Sequence, residues 1–369
     1  MGLTRTATSA AFSLALLTSG LAAWSAGRHV DRHGARGLMT VGSALGALLV
    51  FAWSFVTTLP QLLVVQAAIG LVLAAVTYDT AFTVLARWFR RDRMRAILLV
   101  TLMAGFASTV FVPFTTLLVE TVGWRWALRA LAVVLLVTTV PLHGLVLRKD
   151  PRDLGVGPDG ASLTGDGRAH AAAEEVAVGM RDAIRSGSFW WMTSAFLFDA
   201  MALLAVAAHA VPMLLERGHP AGLVALAVGS IGAWQVAGRL LFAPATERLS
   251  LRTLAVVTFV VRALGIGALL VVPGLGAIWI FASAFGLANG ASTLARAGLV
   301  AEVFGAQHYG AINGAMTALV VPVRVAAPLA VGAVRTTTGS YDLALVAGVL
   351  LVAFAAVAMS RVARGADAA

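Results

Sequence analysis

Long apolar runs alternate with short polar breaks along the whole chain. Mostly apolar stretches of about 20 residues or more occupy 7–26, 38–58, 61–86, 96–119, 127–147, 189–214, 221–243, 253–272, 276–299, 309–334 and 341–362. A helix needs roughly 20 such residues to cross a ~30 Å hydrocarbon core, so each run predicts one membrane span. Helices are expected because a lipid-facing backbone must satisfy its N–H and C=O groups within its own segment. The fold class expected is therefore all-α, a polytopic membrane protein with eleven spans. The first run lacks a strongly basic leader, and the same pattern recurs to the end of the chain. It is read as a retained span and not as a cleaved signal peptide.

Composition supports this picture. Sixty per cent of the residues are hydrophobic, 12% are charged, and the mean hydropathy is +0.90. Soluble domains carry about 25% charged residues, so the partner implied is the lipid bilayer. The net charge of +10 does not imply nucleic acid, because the arginines fall in short loops between apolar runs. There is no cysteine, which excludes disulfides, thiolate metal sites and cysteine nucleophiles. The histidines are scattered without metal-ligand spacing, and there is no H-E-x-x-H or G-x-x-x-x-G-K-[ST] sequence. A membrane enzyme and an ATP-driven pump are accordingly disfavoured. No metal, cofactor or obligate protein partner is implied.

The basic residues also orient the chain. One set of loops carries Arg28, Arg32 and Arg36; Arg87, Arg90, Arg91, Arg93 and Arg95; Arg148, Lys149, Arg152, Arg168, Arg181 and Arg185; Arg248 and Arg252; and Arg361 and Arg364. The other set carries only Arg5, Arg125, Arg217 and Arg335. The positive-inside rule makes the first side cytoplasmic. The expected location is the inner (cytoplasmic) membrane, with the C-terminus inside and the N-terminus of this chain outside. Residues 148–188 form the one long break, with Pro151, Pro158, several glycines and mixed charge. They read as a flexible cytoplasmic linker between a five-span half at 1–147 and a six-span half at 189–369. Within the linker, 172–186 is expected to form a short amphipathic helix with Val176, Met180 and Ile184 on one face.

The loop Gly27-Arg-His-Val-Asp31-Arg32-His-Gly34-Ala-Arg36 resembles the signature loop of the major facilitator superfamily, roughly G-x-x-x-D-R-x-G-R-R/K. A weaker echo runs from Gly238-Arg239 to Glu247-Arg248, as two related halves would leave. The basic loop Arg87–Arg95 matches the loop after the family's fourth helix. The stretches His209–Gly218 and Phe304–Gly314 resemble the monocarboxylate and oxalate/formate exchanger-like branch. The resemblance covers essentially the whole chain. It implies a secondary transporter of a small organic anion, monocarboxylate-like, working by alternating access with proton coupling or exchange. A transporter of another small solute or drug, and a non-transporting remnant or membrane sensor of the same fold, are the alternatives. Two departures stand out. Ala35 replaces a basic residue of the motif. The motif also follows one span where the family has two, so 7–26 corresponds to the family's second helix. The expectation is the family's twelve helices minus the first, through an upstream start or a truncation.

Gly27 and Gly34 suit a tight turn and close helix approach. Asp31 can accept hydrogen bonds from a helix N-terminus or pair with arginine. The resemblance implies that this loop, with Arg32 and Arg36, latches the cytoplasmic side; the alternative is a plain topology anchor.

A charge at the bilayer centre costs roughly 2.5–3.5 kcal/mol, so deep ionisable residues point to function. Arg324 lies mid-span, and the resemblance gives its helix a cation that binds the substrate anion; a structural pair with aspartate is the alternative. The resemblance implies a functional, substrate-binding arginine near Arg239; a surface-reaching residue, or one paired with Glu247, is the alternative. Arg262 lies deep in a helix that the family keeps peripheral, and no substrate role is expected of it. Asp79 and Asp199 are candidates for proton coupling or gating, or for ion pairs with the deep arginines. Asn289 and Gln235 could hydrogen-bond a substrate or tie two helices together.

Overall fold

The computed structural model describes residues 5–162 and 178–363, and helices account for most of them. In chain order they are α1 (Arg5–His33), α2 (Ala35–Trp53), α3 (Leu59–Val76), α4 (Tyr78–Trp88), α5 (Arg93–Leu145), α6 (Met180–Arg185), α7 (Gly187–Glu216), α8 (Ala221–Ala245), α9 (Leu251–Val271), α10 (Leu275–Phe304), α11 (Tyr309–Thr338) and α12 (Asp342–Ser360). There is no β-strand among the described residues. Among the described residues, ten stretches are long and apolar enough to cross a membrane, α3 and α4 counting as one. Gly123, with φ 81° and ψ 159°, divides α5 into two arms. Over the described residues the spans therefore number ten plus one, the eleven expected from hydropathy.

Two compact units result. The first comprises residues 1–180 and 304–321, the second 181–303 and 322–369. Within α11, residues up to Val321 group with the first unit and those from Pro322 onward with the second. In the first unit α1 packs on α3 and α2 on α5; in the second α12 packs on α7 and α9. Small residues dominate the buried positions, among them Ala11, Ala15, Ala23, Ala195, Ala202, Ala255, Ala295 and Ala355. Large apolar residues such as Leu48, Val64, Met103, Leu226 and Leu350 point outward. This suits a lipid solvent: apolar side chains gain little by leaving lipid, so helices associate through close backbone packing.

Three sequence expectations need correction. The polar stretch Gly27–Arg36 is not a ten-residue loop. α1 continues to His33 and α2 starts at Ala35, leaving Gly34 (φ 84°) as the turn. The apolar run 61–86 is not one helix: Thr77 is extended and separates α3 from α4. Hydropathy cannot register this break, because the residues on both sides of Thr77 keep the run apolar. The Thr77 amide and hydroxyl both donate to the Leu73 carbonyl, and the Thr80 hydroxyl donates to that of Ala74.

The third correction concerns the start of the linker, which is held in place. Short 3-10 turns occupy Pro151–Leu154 and Pro158–Gly160. The Asp159 carboxylate accepts from the backbone amides of Arg90 and Arg91 at 3.1 and 2.9 Å. Lys149 Nζ donates to the Arg32 carbonyl at 2.7 Å. Of the amphipathic segment 172–186, residues up to 177 lie outside the described ones; the remainder contains α6, with Ala183 buried and Ile184 exposed.

Candidate functional site

The first unit gathers its polar residues around the beginning of α11. Asp31 sits in the last turn of α1 with its side chain 5% exposed. Its Oδ1 accepts from the Gly310 amide at 3.1 Å and its Oδ2 from the Ala311 amide at 2.7 Å. These amides belong to the first turn of α11, where N–H groups have no intrahelical acceptor and the helix dipole favours an anion. Arg87, near the end of α4, donates to the Asp31 carbonyl at 2.6 Å and lies 3.5 Å from Asp31 Oδ1. It also donates to the Gln307 carbonyl at 3.2 Å, just before α11 begins. Arg36 Nε reaches the Gly144 carbonyl at 2.6 Å, and the Arg32 side chain is exposed.

Gly27 serves close approach and not the turn. A Cβ there would collide with the Gly310 carbonyl, and one at Gly314 would collide with that of Ala23. α1 and the first half of α11 therefore touch backbone to backbone along Ala23–Gly27 and Gly310–Gly314.

Asp79 lies deeper on the same side of α4, in its first turn just after the break at Thr77. Its Oδ1 accepts from Asn313 Nδ2 at 2.9 Å and its Oδ2 from Thr317 Oγ1 at 3.0 Å. Asp79, Thr83 and Arg87 are spaced i, i+4, i+8 and share one face of α4. That face meets α11 at Thr317, Asn313 and Gly310, and the Gln307 carbonyl just ahead of it. A separate groove of about 530 Å³ in this unit is lined mainly by apolar residues such as Phe12, Trp53, Leu62 and Trp124, and none of the candidate residues lines it.

The second unit contains the remaining candidates. Asp199 Oδ1 on α7 lies 2.8 Å from Arg262 Nε on α9, with side chains 4% and 0% exposed. Ser292 on α10 donates to Asp199 Oδ2 at 3.1 Å. The Arg262 guanidinium also stacks on Phe285, 5.5 Å from the ring centroid. One carboxylate thus joins three helices. Arg324 on α11 is half-buried, and its charge acts on the same carboxylate.

Gln235 and Arg239 lie on α8 and Asn289 on α10. The two helices touch at Gly286 and Gly290, where a Cβ would strike the backbone of Ile231 and Gln235. Arg239 is buried, with 8% exposure. At the other end of the unit Arg217 pairs with Asp342 at 2.7 Å and Arg335 with Glu216 at 2.9 Å.

Sequence reasoning did not connect several of these residues. An ion pair of Asp199 with a deep arginine is among the sequence expectations, and Arg262 is that arginine. Asn313 stood in a recognised stretch but was given no partner. Ser292 and Thr317 carried no signal, since a lone hydroxyl in a span usually bonds its own helix.

Among the described residues, long apolar helices with carboxylates and guanidiniums held between them, one of them broken at Thr77, are the architecture of a polytopic membrane protein of the transporter class. The chain belongs to the Major Facilitator Superfamily, whose family model matches residues 1–328. It is a secondary transporter by fold and not an enzyme. It is 28% identical over 316 residues to an uncharacterized 38 kDa protein in the 23S RNA operon of Thermoproteus tenax, covering 85% of this chain and 74% of that one. Among solved structures it is similar to the E. coli fucose:proton symporter FucP, with TM-score 0.72, 14% identity, and 98% and 92% of the two chains covered. It is likewise similar to the proton:xylose symporter XylE bound to 6-bromo-6-deoxy-D-glucose, with TM-score 0.74, 13% identity, and 98% and 88% covered. At such identities the likeness is one of fold.

Proposed function

We propose that the protein moves a small organic anion of the monocarboxylate class across the inner membrane by alternating access. The observation that carries this reading is Arg324, half-buried fifteen residues into α11 and bracketed by Pro322 and Pro328. A guanidinium offers a planar fork matched to a carboxylate and stays charged at any physiological pH. Arg239, Gln235 and Asn289, all in the same unit, supply further donors for the anion. The arginine-rich end is the cytoplasmic one. There Asp31 grips the first turn of α11, and this contact is made and broken as access alternates. Exchange or proton symport supplies the driving force.

A neutral solute is the second reading. Gln235 and Asn289, on the touching helices α8 and α10, are uncharged groups suited to a hydroxylated solute. Proteoliposomes containing the full chain test both. Uptake of labelled lactate, pyruvate, formate or oxalate, accelerated by internal unlabelled anion or by an inward proton gradient, supports the proposal. Uptake of labelled fucose or xylose without any anion flux supports the second reading. Absence of flux with every anion overturns the first.

A further inference from the structure

The break at Thr77 and the position of Asp79 have no part in the contact made by Asp31. Non-helical backbone within a membrane span is tolerated only where protein or a cavity covers it. Here it places a carboxylate in the first turn of α4, where the helix dipole favours it. The carboxylate accepts from two neutral side chains of α11, Asn313 and Thr317. Along α4, Asp79 lies eight residues from Arg87, a rise of ~12 Å. Along α11, Thr317 lies six residues from Ala311, a rise of ~9 Å. The same two helices are thus tied at two depths, by Arg87 with Asp31 at the outer rung and by Asp79 at the inner one. Thr83 lies between the rungs, fully buried and packed against Gly310.

We propose that Asp79 is the inner bolt of a two-rung gate: it must release Asn313 and Thr317 before α11 can leave α1 and α4 and open the arginine-rich end. Its neutral partners suit a bolt that is drawn repeatedly. When it opens, only the Asp79 carboxylate is left for water to meet, whereas drawing apart an ion pair would leave two charges. The proposal rests on alternating access but not on the identity of the substrate.

The test uses the absence of native cysteine. Thr83→Cys in the full chain introduces a single thiol of similar size between the rungs. Its labelling by a membrane-impermeant methanethiosulfonate reagent is followed in proteoliposomes from the side of the Arg87–Arg95 loop. In this background Asp79→Ala, and separately Asn313→Ala/Thr317→Val, should each speed labelling about tenfold or more, the equivalent of losing one charge-assisted hydrogen bond. Asp31→Ala serves as the outer-rung comparison. The double variant leaves Asp79 in place, so a folding defect specific to Asp79→Ala does not decide the result. If neither inner-rung variant labels faster than the parent while Asp31→Ala does, the inner bolt is overturned. Because labelling needs no substrate, a chain that passes this test but moves no anion would overturn the proposed cargo alone.

Discussion

Asp199 Oδ1 and Arg262 Nε stand 2.8 Å apart in the interior of the second unit, and both side chains are almost completely buried. The pair resolves two isolated charges, each costly in an apolar span, into one neutral unit that joins α7 to α9. Removing one partner strands the other. Arg262→Ala should therefore lower stability by about 3–5 kcal/mol. Asp199→Leu/Arg262→Met, which removes both charges and refills the volume, should recover most of that loss. Thermal unfolding in detergent, followed by the fluorescence of the nine tryptophans, gives the comparison. A single variant as stable as the parent would show that the pair holds nothing.

The backbone contact between Gly27 and Gly310 makes a second prediction. No methyl group fits at Gly27, while at Gly37 on α2 the space is open. Gly27→Ala should cost roughly 1–3 kcal/mol through overpacking. Gly37→Ala should be neutral or slightly stabilising, because alanine is the better helix former. Equal unfolding midpoints for the two variants would contradict the close approach of α1 and α11.

Asp159 reaches across to cap the turn at Arg90 and Arg91. Replacing it with alanine should leave these amides to water and speed their hydrogen exchange by about tenfold or more, as expected for a lost bond to a charged acceptor. The amides of α2 provide the internal standard. Unchanged exchange at Arg90 and Arg91 would mean that the first part of the linker does not hold this loop.

What the sequence reveals and what it hides follow from the same physics. Hydropathy measures the length of an apolar run, so all eleven spans are legible, including the two arms of α5. It does not measure rotation about the helix axis, and partners depend on rotation. Asp31 is legible because motif residues lie close together and their target is a generic feature, a helix N-terminus. Asp79 is legible as a deep acid, but its partners Asn313 and Thr317 lie more than two hundred residues away and are chemically ordinary. An ion pair between Asp199 and a deep arginine is legible as an alternative, but that Arg262 is the arginine depends on helix rotation, which hydropathy does not measure. The break at Thr77 leaves no trace in hydropathy, since the residues on both sides keep the run apolar.

The central claim, that Arg324 holds a carboxylate substrate, is tested most directly by equilibrium binding. Labelled pyruvate is titrated onto the purified full chain, onto Arg324→Ala and onto Arg324→Lys. The parent should bind pyruvate displaceably. Arg324→Ala should weaken binding roughly thirtyfold or more, the cost of removing one partner of a buried charge pair. Arg324→Lys should fall between them, keeping the charge without the fork. Binding by Arg324→Ala equal to that of the parent, or no displaceable binding by the parent at all, would contradict the claim.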